Sequence, residues 1–211
     1  MIEHINHKPF GSITFRYASQ EENKNILQEM GMDPENVEEM LIFLRDRNKT
    51  DSLESLLDKP FEPKPQLASK PSRFSDGTIR VFYSALEPET AEAEVFVWYV
   101  KYALNNASEE RTAHYRRFVC NFQGDVKDLR PHLAAMPCLI QDEAAGYPDC
   151  NRIGIEAVSE GLDGLLTPSA RKRKGTCLPI FRREALSNPQ SQDFVAFKFD
   201  PSSGKISILA G

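Results

Sequence analysis

Two short blocks concentrate side chains able to do chemistry. The first, RFSDGTIRVFYSALEPETAEAEV (73–95), offers a guanidinium at Arg73, a phenol at Tyr83 and a carboxylate at Glu94. The second, GLDGLLTPSARKRKG (161–175), adds the Ser169 hydroxyl and a basic run from Arg171 to Lys174. Arginine grips phosphate through two parallel charge-assisted hydrogen bonds, a geometry lysine does not reproduce. A strand, turn and helix could aim Arg73, Tyr83 and Glu94 at one cleft. Each also has a plain structural use. Glu94 belongs to a run with Glu89 and Glu92 and reads equally as a solvated helix residue. Tyr83 suits a core, Arg73 a surface charge, and Ser169 after Pro168 a cap or turn. The residues alone define an α+β domain with a candidate anion-binding cleft.

Common short motifs are missing from the chain. Neither Gly-x-Gly-x-x-Gly, the phosphate-binding Gly-x-x-x-x-Gly-Lys-Ser/Thr nor a Gly-x-Ser-x-Gly elbow occurs. Cys120, Cys138, Cys150 and Cys177 are 18, 12 and 27 residues apart, and His4, His7, His114 and His132 form no His-Glu-x-x-His. Reduced, mostly structural thiols and no metal are the expectation.

Composition bounds the function further. The 211 residues carry 26 Lys plus Arg against 31 Asp plus Glu, a net charge of -5, which argues against a general nucleic-acid binder. With 40% hydrophobic residues, no membrane-spanning apolar run and no signal-peptide pattern at MIEHINHKPFGS, a cytoplasmic globular protein is expected.

Those side chains need elements to hold them. SITFRY (12–17) is β-rich, and residues 20–58 turn acidic and helical, with Val37, Met40, Leu41 and Leu44 on one helical face after an Asp33-Pro34 start. KPFEPKPQLASKPS (59–72) reads as a proline-rich connector, so residues 1–70 form an opening strand with a helical extension and 71–211 the body. In the body, strands are expected at 78–84, 115–122, 163–167, 176–181, 193–199 and 205–209. Helices are expected at 88–104 and about 147–160.

The series Arg73, Tyr83-Ser84, Leu86-x-Pro88-Glu89-Thr90-Ala91-x-Ala93-Glu94, Gly161-x-Asp163-Gly164 and Pro168-Ser169-Ala170-Arg171 resembles the RES-domain family, named for its Arg, Glu and Ser. Arg16 in FRYA resembles that family's first arginine. The likeness is good from about Ser72 to Phe181 and weak over Ile13–Phe15. Where the family usually has Gly-Gly-Arg-Trp/Phe-Asn, this chain has Pro71-Ser72-Arg73-Phe74-Ser75.

The resemblance implies an α+β fold like that of ADP-ribosyltransferases, with a mixed sheet. It also implies a toxin that degrades NAD+, as glycohydrolase or phosphorylase, held in check by an Xre-type antitoxin. NAD+ would be substrate rather than cofactor. On this reading Glu94 stabilises a ribosyl cation and orients a ribose hydroxyl, Ser169 positions the substrate, and Tyr83 offers a ring face. Arg73 and Arg16 hold the pyrophosphate, with Arg171 adding local positive potential. Transfer of ADP-ribose to a macromolecule and a non-catalytic interaction module are the alternatives.

Overall fold

A computed structural model describes residues 1–19, 53–62, 71–105, 111–141 and 147–210. Its longest pairing joins β1 (His7–Ser19) to β3 (Arg111–Asp128), antiparallel and in register from His7 opposite Lys127 to Ser19 opposite Tyr115. Both strands outrun the expected 12–17 and 115–122. SITFRY and YRRFVCNF announce themselves by β propensity, whereas HKPFG and GDVKD become strand because each satisfies the other's backbone groups.

The remaining strands are β2 (Phe82–Ala85), β4 (Gly164–Pro168), β5 (Thr176–Ile180), β6 (Leu186–Asp200) and β7 (Lys205–Ala210). Among the described residues they form a seven-stranded sheet ordered β1-β2-β5-β4-β3-β6-β7. Because β1 also pairs with β3, five strands close into a ring, and β6 and β7 run on from the other half of β3. Only β3 and β4 run parallel; the other neighbours are antiparallel. Among the described residues three α-helices, α1 (Leu53–Asp58), α2 (Pro88–Asn105) and α3 (Pro148–Ser159), complete the α+β architecture that the sequence led us to expect.

Packing separates into three apolar clusters. Phe82, Phe118, Phe122 and Leu178 fill one, joined by Leu57 from α1. Tyr99, Ala103 and Phe197 pack between α2 and the far strands. Around α3, Ile153 and Ala157 meet Phe74, Leu165 and the N-terminal Ile2 and Ile5. Lys127 is buried beside this third cluster, where its ammonium donates to the Ile2 carbonyl at 2.9 Å and pairs with Glu160. A buried ammonium needs such partners, because leaving it unpaired costs several kcal/mol.

One strand expectation needs correction. TIRVFYS (78–84) forms β2 only from Phe82, and residues 71–81 are bends, turns and one short bridge between Ser72 and Ser75. Local side-chain bonds win here. Asp76 accepts the Thr78 amide at 2.8 Å, and the Ser75 hydroxyl accepts the Gly77 amide and donates to the Ile79 carbonyl. Gly77 has φ 101, a conformation that suits glycine, and a backbone satisfied this way has no need of a strand partner.

The expected helical face at Val37, Met40, Leu41 and Leu44, with its Asp33-Pro34 start, lies outside the described residues, as does 63–70 of the connector. Among the described residues, no helix is long and apolar enough to cross a membrane.

Candidate active site

The site rests on two anchored segments. At the head of α2, Pro88 occupies the first helical position, where a missing amide proton is harmless. Glu87, just before it, accepts from the Thr90 hydroxyl at 2.6 Å and from the Thr176 amide at 2.9 Å, tying α2 to the start of β5. Gly175 completes this junction, since a Cβ there would sit 2.4 Å from the Thr90 hydroxyl. Much of the LEPETA block is therefore structural. It sets the height and rotation of α2, and through them the place of Glu94.

Gly161-Leu162-Asp163-Gly164 anchors the second segment. Gly161, at φ 75, ends α3 in a left-handed turn in which the Gly161 amide returns to Val158 and the Leu162 amide to Ala157. Asp163 then accepts the Asp125 amide at 2.7 Å while its own amide donates to the Asp125 carbonyl. These bonds launch β4 beside β3 and deliver Ser169 just past its end.

Between α2, β2 and the β4–β5 turn lies a cleft of about 370 Å³. Arg16, Arg73, Tyr83, Glu94 and Arg171 all line it, and buried Ser169 reaches Glu94 from the turn. The structure thus brings together all six residues singled out from sequence. Of the neighbouring glutamates, Glu89 is exposed and Glu92 receives the Tyr17 hydroxyl at 3.3 Å. Only Glu94 of the three faces the cleft.

Ser169 is held in one hydrogen-bonding state. Its Oγ donates to Glu94 Oε1 at 2.6 Å and accepts the amides of Arg171 at 3.0 Å and Lys172 at 2.9 Å. A hydroxyl has one proton and two acceptor sites, so the proton is committed to the carboxylate and both lone pairs to backbone. This is the geometry of a positioning group, not of an activated nucleophile. The Cys177 thiol donates to the same Oε1 at 3.4 Å. Burial, and then the neighbouring Glu94, push that thiol well above the ordinary cysteine pKa, so it stays a protonated donor. Oε2 carries no hydrogen bond among the described residues.

The arginines stand on different footings. Arg73 donates through Nη1 to the carbonyls of Cys138 at 3.1 Å, Leu139 at 3.3 Å and Gln141 at 2.8 Å, and its guanidinium lies 4.5 Å from the centre of the Tyr147 ring. One prong of the fork is therefore occupied in closing the cleft wall. Arg16 donates to the Tyr83 carbonyl at 2.7 Å and lies 4.4 Å from the centre of the Phe82 ring. Tyr83 shares a 2.7 Å hydrogen bond with the Ser72 hydroxyl and accepts the Phe74 amide at 3.0 Å, which fixes the loop that carries Arg73. Burial raises its phenol pKa, so it stays neutral at physiological pH. In the basic run, Arg171 lines the cleft while residues 172–174 are exposed. Among the described residues, three guanidinium groups and one carboxylate line this cleft.

Sequence reasoning missed Tyr17, Trp98 and Cys177, all of which line the cleft. Tyr17 follows Arg16 on β1, and burial pushes its phenol up to about 12. Trp98 had a legible signal, four residues after Glu94 and hence on the same helical face. Cys177 had none, because its pairing with Glu94 spans 83 residues. Cys120, Cys138 and Cys150 are buried free thiols, and among the described residues no His, Cys, Asp and Glu cluster could hold a metal ion.

A family model described as RES domain matches residues 48–200 of the chain. No curated protein matches it.

Proposed function

Since the chain belongs to the RES domain family, we propose that it is a toxin that degrades NAD+ by breaking the nicotinamide–ribose bond. The observation that carries this reading is the Ser169–Glu94 hydrogen bond inside a cleft lined by three arginines. Such a site pairs one oriented carboxylate with positive charge suited to a pyrophosphate.

In the proposed reaction the C–N bond's electron pair returns to the nicotinamide ring nitrogen, so the leaving group departs neutral and needs no general acid. Positive charge develops on the ribose, as in glycoside hydrolysis. Glu94 meets that charge and accepts from a ribose hydroxyl through Oε2, while Ser169 and Cys177 fix Oε1. Water or inorganic phosphate then adds at the anomeric carbon and gives up a proton. Arg16 and Arg171, with the N–H groups of Arg73 other than Nη1, hold the pyrophosphate. Tyr83 bounds the ring site and braces the Arg73 loop. An antitoxin of the Xre type is the proposed partner.

Incubating purified protein with NAD+ labelled in the ADP-ribose moiety tests this reading. Free ADP-ribose or its 1-phosphate, released together with nicotinamide, is the expected result. Label carried on a macromolecule would reassign the protein as a transferase, and intact NAD+ would remove the enzymatic reading.

A further inference from the structure

The chain has a single tryptophan, and it is spent on the cleft. Ala91, Glu94, Val95 and Trp98 fall on one stripe of α2 and line that cleft, while Tyr99 and Ala103, on the adjoining stripe, are buried in the cluster that holds Phe197. Trp98 is 57% exposed. Among the described residues it is the only one combining a large ring, that degree of exposure and a place in the site. Lys101 places its ammonium 5.4 Å from the ring centre, and a planar ring has a second face.

Depth orders the ligand. Glu94, where the reacting ribose must sit, is bonded to buried Ser169 and to Cys177, so the scissile bond lies at the floor. Trp98 is one helical turn further along, a rise of about 6 Å for four residues. Its exposure puts it toward the mouth. A dinucleotide held at Glu94 by one ribose extends its other nucleoside outward across the arginines, and the base at that end is adenine. We infer that Trp98 is the stacking platform for this adenine, a binding role that rests on the NAD+ reading and specifies how the substrate is held.

Because Trp98 is the sole tryptophan, its fluorescence in the intact protein reads the proposal without any turnover. ADP-ribose and AMP are expected to quench the emission saturably, and nicotinamide mononucleotide, which lacks adenine, to leave it unchanged. Base–aromatic stacking predicts that Trp98→Ala raises the KM for NAD+ roughly 10- to 100-fold, with kcat within about threefold and most of the affinity restored in Trp98→Phe. Removing an exposed ring should leave the circular dichroism spectrum as it is. Nicotinamide release without any quenching by ADP-ribose would overturn the platform alone. Quenching without nicotinamide release would overturn the activity and keep the platform. Quenching by the mononucleotide but not by ADP-ribose, or an unchanged KM in Trp98→Ala, would assign Trp98 elsewhere.

Discussion

The Ser169 hydroxyl donates a 2.6 Å hydrogen bond to Glu94 Oε1 across 75 residues of sequence, while two backbone amides occupy its lone pairs. The turn after β4 thereby dictates the orientation of a carboxylate on α2. The relationship matters because a carboxylate stabilises developing charge in proportion to how well it is fixed beforehand.

Ser169→Ala removes the donor and leaves the amides of Arg171 and Lys172 without their acceptor. Losing one hydrogen bond to a charged group predicts a fall in kcat of about tenfold to a hundredfold. Steady-state nicotinamide release should show it with KM less affected. A Ser169→Ala enzyme that turns over normally would remove Ser169 from the machinery.

Cys177 is the second donor to Glu94, and its conservative variant separates orientation from packing. Cys177→Ser keeps a donor at nearly the same volume and is expected to hold kcat within about threefold, whereas Cys177→Ala should lose about tenfold. Equal losses in the two variants, seen in the same kcat and KM measurements, would leave packing as the explanation.

Arg73→Ala should weaken folding as well as binding. Three carbonyls lose their shared donor at Nη1, and the Tyr147 ring loses its stacked cation. Hydrogen bonds from a charged donor contribute about 1.5–3 kcal/mol, less in a partly exposed wall such as this one, so the denaturant midpoint should drop along with a rise in KM. An unchanged midpoint would mean that the wall does not depend on this residue.

Asp128 contributes an acid-sensitive brace. Hydrogen bonds and charge from Arg130, with help from Lys8, hold its carboxyl down at about 2 against an ordinary 3.8. A folded-state pKa below the unfolded one gives stability that is present above pH 3.8 and lost as the pH falls towards 2. With allowance for partly exposed partners, Asp128→Asn should cost about 1 kcal/mol at neutral pH and nothing near the bottom of that window. Urea titrations of both proteins at several pH values check this. The link to the site is short, since Arg130 also donates to the Thr176 hydroxyl at 3.3 Å where β5 begins.

How far the sequence could be read depended on how local each cause was. Pro88 at a helix start and the β-rich cores of β1, β3, β5 and β6 act within a few residues, and they were legible. Residues 7–11 of β1 and 123–127 of β3 were not, because each run pairs with the other. Residues 78–81 misled through Ile79 and Val81, which pack on the core without pairing, since side-chain hydrogen bonds already serve that backbone. At the site, Glu94, Ser169, Arg73 and Tyr83 were found through the family resemblance. Residue type alone could not separate Glu94 from Glu89 and Glu92; what separates them is the rotation of α2 fixed by Glu87, Thr90 and Thr176.

The central claim is that Glu94 carries the chemistry of NAD+ cleavage, and Glu94→Gln tests it most directly. Glutamine keeps the shape and can still accept from Ser169 and Cys177, but it brings no negative charge to the ribose. Nicotinamide release from NAD+ by the folded variant is predicted to fall by about 10²–10³ in kcat, the usual cost of one lost transition-state electrostatic contact. A folded Glu94→Gln protein that releases nicotinamide at the unsubstituted rate would contradict the account.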